Sequence, residues 1–93
     1  MSLYSLSDCW VVYIIECSDG SLYTGITNNL HLRIASHNNG TAARYTRSRL
    51  PVKLLYFEKH SDRSSASKRE WEIKKFTHAK KTELIAIQRE YRT

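Results

Sequence analysis

The chain has 93 residues, 41% of them hydrophobic, and a formal charge of +6. A chain of this length supports one domain with a modest core, burying roughly 60–65% of its unfolded surface. Its longest apolar run, Trp10 to Ile15, is far too short to span a membrane, and no secretory pattern opens the sequence.

Residues 1–7 read as a flexible N-terminal tail and 8–93 as a single domain. Trp10 to Cys17 is a continuous apolar, β-branched run, expected as a strand covered on both faces. Cys9 and Cys17 lie on that run. Extended, they stand about 26 Å apart, against the roughly 4–7 Å between Cα atoms that a disulfide needs. Two reduced cysteines and no export signal point to the cytoplasm, with no membrane partner.

Ser18-Asp19-Gly20 is turn chemistry, and Ser21 to Ile26 returns as the partner strand. A two-residue Asp19-Gly20 turn would pair Tyr13 with Ile26 and set Tyr13 and Tyr23 on opposite faces. A three-residue loop with Gly20 left-handed pairs Ile15 with Tyr23 and Tyr13 with Gly25. Both phenols then share a face, and the bare Cα of Gly25 leaves room beside Tyr13. The second register is the one expected.

Thr27 or Asn28 is expected to cap a helix running to about Asn38, with Leu30 and Ile34 on its inner stripe. Arg33 and His37 are one turn apart on the same face. Thr41 to Pro51 reads as an irregular, arginine-rich loop, and Val52 to Glu58 as a third strand. A helix is expected from Asp62 to about Phe76, with Trp71 and Phe76 as core residues. Thr77 caps a last helix reaching about Tyr91. This succession describes a small α/β or α+β domain whose short sheet carries helices alongside.

Charge placement matters more than its sum. No acidic residue occurs between Asp19 and Glu58, a stretch that holds Arg33, Arg44, Arg47, Arg49, Lys53, His31 and His37. An unneutralised basic segment is an electrostatic footprint for a polyanion, although a solvated face is the plain alternative. Within it, Arg44, Tyr45, Thr46, Arg47 and Arg49 suit backbone phosphate and stacking on a base. An ordinary exposed loop explains those five equally well.

Five residues could carry chemistry, and it is their joint order that points there, since tyrosines are common in sheets and a lone arginine or histidine on a helix is usually surface. Tyr13 and Tyr23 offer phenols, Arg33 a planar fork suited to phosphate charge, and His37 an imidazole able to orient water or relay a proton. Glu70 falls on the helical stripe expected to face the body of the protein, where a carboxylate needs a cation or metal. Its plain alternative is an exposed Glu70–Lys74 pair. The cysteines and four histidines lack zinc-type spacing. One Mg²⁺ held by a single carboxylate, substrate phosphate and waters is chemically reasonable. A free phenol is only about 0.1% ionised at neutral pH, so a tyrosine acting as base needs help, expected from Arg33 and the metal.

With those residues in view, the chain resembles the GIY-YIG nuclease superfamily, and most closely its small stand-alone bacterial members. Val11-Val12-Tyr13, Tyr23-Thr24-Gly25, Arg33 on the following helix and Glu70 on a later one carry the likeness. Gly40 to Thr46 is similar to loops in the same branch and in structure-selective repair endonucleases. The resemblance implies a three-stranded antiparallel sheet flanked by helices, in the order β-β-α-β-α-α. It also implies hydrolysis of DNA phosphodiester bonds with one divalent ion, Mg²⁺ or Mn²⁺, held by Glu70.

Tyr13 and Tyr23 would then serve the water and phosphate, and Arg33 the transition state. Gly25, Arg44, Tyr45, Thr46, Arg47, Arg49 and Lys53 would contact the nucleic acid, and branched or single-stranded DNA is the expected substrate. The chain departs from the pattern in the two valines before Tyr13 and in having no asparagine after Asn39. Many members carry a separate DNA-binding domain, for which this chain leaves no room, so a protein partner is also expected. The alternative function is a nucleic-acid-binding module with weak or absent catalysis. A third is a basic domain that recruits another protein.

Overall fold

The computed structural model describes residues 9 to 92, and the expected tail over residues 1–7 lies outside the described residues. Seven elements follow in order: β1 (Trp10–Glu16), β2 (Leu22–Thr27), α1 (Leu30–Asn38), α2 (Arg44–Arg47), β3 (Lys53–His60), α3 (Arg63–Lys74) and α4 (His78–Arg92). The strands form one antiparallel sheet in the order β2-β1-β3. The mixed architecture and its β-β-α-β-α-α succession are those expected, with α2 added as a short helical turn. The Thr41–Pro51 stretch is therefore not wholly irregular, because Arg44 to Arg47 close one turn after the extended Ala43.

The hairpin takes the three-residue form. Cys17 N–H bonds Ser21 O at 2.9 Å, and Gly20 N–H bonds Cys17 O at 3.0 Å. Gly20 has φ +85°, a conformation that a side chain would oppose. The register pairs Ile15 with Tyr23 and Tyr13 with Gly25. One residue of slip would have sent every side chain of β2 to the other face.

Because β1 is central, alternation along it supplies both halves of the core. Val11, Tyr13, Ile15 and Cys17 pack on one face with Leu30 and Val52, and with Ile34 of α1 at the margin. Val12 and Ile14 pack on the other with Tyr56, Ala66 and Ile73 of α3 and Ile85 of α4. The sheet is thus sandwiched between an α1 layer and an α3–α4 layer, and β2 and β3 are its edges.

Two amides fasten the layers. Asn38 Nδ2 donates to Val52 O at 3.2 Å and Asn38 Oδ1 accepts from Val52 N–H at 2.8 Å. Gln88 does the same for the backbone of Phe57, tying α4 to the β3 edge. Each pairing satisfies backbone groups that an edge or strand start would leave open.

Capping follows local chemistry, with one shift. Asn29, rather than Thr27 or Asn28, caps α1 and accepts from Leu32 N–H at 3.1 Å. Thr27 instead holds Asn29, its hydroxyl accepting Asn29 N–H at 3.1 Å. Asp62 caps α3 through Ser65 N–H, and Thr77 bonds Lys80 N–H at the start of α4. Phe76 packs against the core as expected. Trp71 does not: it is 63% exposed, because Ala66 and Ile73 define the buried side of α3 and residue 71 lies well round the helix from both.

Candidate active site

Tyr13 is the centre of the arrangement, and Gly25 lets it be so. A Cβ on Gly25 would stand 2.6 Å from Tyr13 Oη and 2.7 Å from Cζ, closer than carbon atoms tolerate. The Tyr13 ring therefore runs outward from the central strand across the bare backbone of β2. Gly25 itself is buried, so its part is to make space rather than to touch a ligand.

His37 meets that phenol from α1. Leu30, Ile34 and His37 lie along one helical stripe, which puts the imidazole inside, 1% exposed. Its Nε2 is 2.8 Å from Tyr13 Oη and its Nδ1 is 2.9 Å from Thr46 Oγ1. The Thr46 hydroxyl also donates to Ala43 O at 3.3 Å. A hydroxyl has one proton, so Thr46 accepts from His37 Nδ1–H, leaving Nε2 to accept the Tyr13 O–H. Burial first, then the nearby Arg33 charge, holds the His37 pKa below the ordinary imidazole value, which keeps the ring neutral.

The charges around Tyr13 identify the rest of the cluster. Burial pushes the phenol well above the ordinary tyrosine pKa; Tyr23 and Glu70 push it further, and Arg33 opposes them. Arg33 favours phenolate as expected, but in the metal-free protein desolvation outweighs it. Tyr23 packs edge-on against His37, with ring centroids 5.4 Å apart. Tyr13, Tyr23 and His37 are thus in contact, and Arg33 and Glu70 lie close enough to bear electrostatically on Tyr13. Glu70 comes from α3, on the layer opposite His37, and α3 packs against β2 as well as β1.

Glu70 is largely covered, its side chain 23% exposed, and pairs with Lys74 at 3.2 Å. Both sequence-based expectations for it hold in part: the helical ion pair forms, yet the side chain is only partly exposed. Among the described residues no group of three or more His, Cys, Asp or Glu side chains is placed to hold a metal. One carboxylate beside two phenols is a sparse, all-oxygen donor set. It suits a hard ion that keeps several waters and takes substrate oxygens, as Mg²⁺ does.

The arginine-rich segment divides. Arg44 and Arg47 are exposed on α2. Thr46 is fully buried on His37, so it does not meet phosphate. Tyr45 stacks on Tyr23, centroids 6.0 Å apart, and the Arg49 guanidinium lies 4.0 Å from its ring centroid. Arg49 also bonds Asp19 Oδ2 at 3.0 Å and Tyr45 O at 2.8 Å, bracing the segment against the hairpin loop. These contacts hold Tyr45 and Arg49 in place at the surface, where both remain partly exposed. Lys53 is exposed and stands 3.6 Å from Glu16. Arg33 lines a 190 Å³ hollow with Thr27, Asn29, Ser36 and Thr41.

Sequence reasoning missed Thr46 as the partner of His37, since nothing in the spacing across a loop foretells that hydrogen bond. The burial of His37 was not anticipated either, although its place three residues past Ile34 on the apolar stripe was a signal for it.

A three-stranded sheet between two helical layers, with two phenols, an arginine and a carboxylate in one neighbourhood, defines a nuclease-type domain. Residues 9–83 match the GIY-YIG catalytic domain, and the chain belongs to that family. It is 56% identical over 75 residues to a UPF0213 protein of Clostridium perfringens, covering 81% of each chain. A UPF0213 protein of Staphylococcus aureus is 50% identical over 78 residues, covering 84% of this chain and 95% of the relative.

Two solution NMR structures share the fold. The UPF0213 protein BH0048 from Bacillus halodurans is 38% identical, with a TM-score of 0.56, covering 85% of this chain and 84% of that one. Protein EF2693 from E. faecalis is 37% identical, with a TM-score of 0.57, covering 86% of each. No helix among the described residues is long and apolar enough to cross a membrane.

Proposed function

We propose that this chain is a metal-dependent endonuclease that hydrolyses DNA phosphodiester bonds. Structure-selective cutting of branched or single-stranded DNA in repair or recombination is its setting, and the cytoplasm its compartment. The observation that carries this reading is the buried contact of Tyr13 Oη with His37 Nε2 at 2.8 Å, flanked by the Tyr23 ring, in a chain of the GIY-YIG family.

Glu70 would hold the Mg²⁺ or Mn²⁺ ion, with waters and phosphate oxygens completing its shell. Held there, the ion would supply Lewis-acid polarisation of the phosphate. Tyr13 removes a proton from the attacking water while passing its own proton to His37 Nε2. Because burial disfavours a standing phenolate, this relay moves the proton without first storing negative charge on Tyr13. Thr46 keeps Nδ1 of His37 occupied, so the free lone pair faces the phenol. Arg33 supports the oxygens of the pentavalent transition state. Tyr23 confines His37 and presents its hydroxyl to the phosphate or water. Arg44 and Arg47 attract the flanking backbone, with Lys53 as a more remote contributor, and a partner protein can add contacts beyond this small surface.

The test is cleavage of flaps, junctions and single strands with and without Mg²⁺ or Mn²⁺. Cutting should require the ion, and Glu70→Ala should abolish it while DNA binding remains. Replacing Arg44 and Arg47 should flatten the salt dependence of binding by roughly one to two units. Metal-independent cutting, or full activity of the Glu70 variant, would refute the assignment.

A further inference from the structure

Trp71 is a large apolar side chain that the chemistry above leaves unused. It is 63% exposed on α3, one residue beyond Glu70. Each helical residue turns the chain by about 100°. With Ala66 and Ile73 buried, Glu70 and Lys74 lie at one flank, and Trp71 and Lys75 follow further out on that same side. Arg69 and Glu72 occupy the other flank, where Arg69 is fixed between Glu58 and Glu72. The indole thus continues outward from the carboxylate proposed to serve the phosphate.

Its neighbours are cationic. Lys75 Nζ lies 3.2 Å from the Trp71 ring centroid. Lys74 follows Glu70 by one turn, and its charge is felt by Lys81 of α4, whose ammonium is disfavoured first by burial and then by Lys74. Lys80 approaches Phe76 at 5.4 Å. Where α3 hands over to α4, Lys74, Lys75, Lys80 and Lys81 outnumber the carboxylates of Glu70, Glu72 and Glu83. An exposed indole bordered by ammonium groups matches a strand that presents flat bases on a phosphate backbone. A lipid-facing or protein-facing patch would call for more apolar neighbours than lysines provide.

We propose that Trp71, with Lys75 beside it, is a stacking platform for an unpaired nucleobase of the DNA strand whose phosphate lies between Arg33 and Glu70. The inference rests on the nuclease reading and narrows its substrate to DNA with a single-stranded segment at the α3 side of the site. In a continuous duplex both faces of each base are already stacked, and a side chain on a convex helix meets only backbone there. Once a base is unstacked, its π-face can lie on the indole, and Lys75 swings to the adjoining phosphate.

The experiment is equilibrium binding of the full chain in EDTA, which separates binding from cutting. The probes are a short oligothymidylate and a blunt duplex, each followed by fluorescence anisotropy and by tryptophan quenching. Trp71→Ala should weaken oligothymidylate binding by roughly 10- to 100-fold with duplex affinity unchanged, and Trp71→Phe should retain most of it. Quenching by oligothymidylate should disappear in both variants, although Trp10 remains. Unchanged oligothymidylate binding by Trp71→Ala, or equal loss for strand and duplex, would overturn the platform. If metal-dependent, Glu70-dependent cleavage persists beside either result, only the platform fails. If the wild-type chain binds neither probe, the platform fails, and the nuclease reading fails with it only where metal-dependent cleavage is also absent.

Discussion

Tyr13 Oη lies 2.8 Å from His37 Nε2, and the contact is buried between the central strand and the first long helix. It joins a phenol whose pKa is raised by burial to an imidazole whose pKa is lowered by burial. Both groups are held neutral, which is the state from which a proton can pass along the pair. Tyr13→Phe should therefore cost about 10²–10⁴-fold in kcat, the usual worth of positioned acid–base catalysis. It should also lower stability by about 1–3 kcal/mol, because His37 Nε2 is left buried without a donor. Single-turnover cleavage and urea unfolding measure the two effects separately. A variant that cuts normally would remove Tyr13 from the reaction.

The same pair sets the acid limb of activity. His37 accepts a proton only while neutral, and its folded pKa lies below the ordinary 6.5. kcat/KM should accordingly hold steady as pH falls to about that value and decline only beneath it. His37→Gln should lower the rate and erase that limb. A decline already complete at pH 6.5 would mean that another group is responsible.

Much of this arrangement was legible because it follows from period and turn chemistry. The apolar run of β1, the left-handed Gly20 and the requirement that two tyrosines share a face together specified the register later found, Tyr13 opposite Gly25. Helix spacing likewise placed Glu70 where its side chain is only partly exposed. What was not legible depended on contacts between remote segments. Thr46 and Arg49 looked like phosphate ligands because a loop sequence does not disclose its partners; Thr46 is buried on His37, and Arg49 is paired with Asp19 at the surface. Trp71 was expected inside because indoles usually are, yet α3 buries only the narrow Ala66–Ile73 side. The net direction of the Tyr13 pKa was equally hidden, since burial, unlike charge, cannot be counted along a chain.

Gly25→Ala probes the space that the phenol occupies. The added methyl would lie 2.6 Å from Tyr13 Oη, so either the ring or the edge strand must shift. Overpacking of this kind costs about 1–3 kcal/mol. Activity should fall by much more than stability alone explains, because the displaced hydroxyl leaves His37. Thermal melting and cleavage rates on the same preparation check this. Wild-type cleavage with an unaltered melting temperature would contradict the close approach.

Glu58 offers a stability prediction away from the site. Burial alone would raise its pKa, but hydrogen bonds from Tyr56 and His60 and the Arg69 guanidinium together hold it below the carboxylate value of 4.5. Arg69 Nε and His60 Nε2 each lie 2.9 Å from Oε1. A depressed folded pKa means that the contribution is complete above pH 4.5 and is lost as pH falls through the lower folded value. Glu58→Gln should therefore destabilise the protein at neutral pH and flatten its acid unfolding in that window. Urea midpoints measured from pH 7 downward test the sign. Parallel curves for wild type and variant would show that Glu58 does not titrate with folding.

Thr46→Val isolates the tautomer from the fold. Valine keeps nearly the volume of threonine but removes the oxygen that accepts His37 Nδ1–H at 2.9 Å. Without it the imidazole gains by moving its proton to Nε2 and donating to Tyr13 Oη, which reverses the hydrogen bond. Nε2 then has no lone pair to receive the phenol proton, so kcat should drop by roughly 10- to 100-fold, a part of what positioned acid–base catalysis contributes. KM should change little, since Thr46 is buried and touches no substrate. Thr46→Ser restores the acceptor and should recover most of the rate, whereas a packing defect would not be repaired by the smaller residue. Nitrogen chemical shifts of His37 report the tautomer directly. An Nδ1-protonated ring in Thr46→Val, with normal kcat, would show that the threonine does not orient the relay.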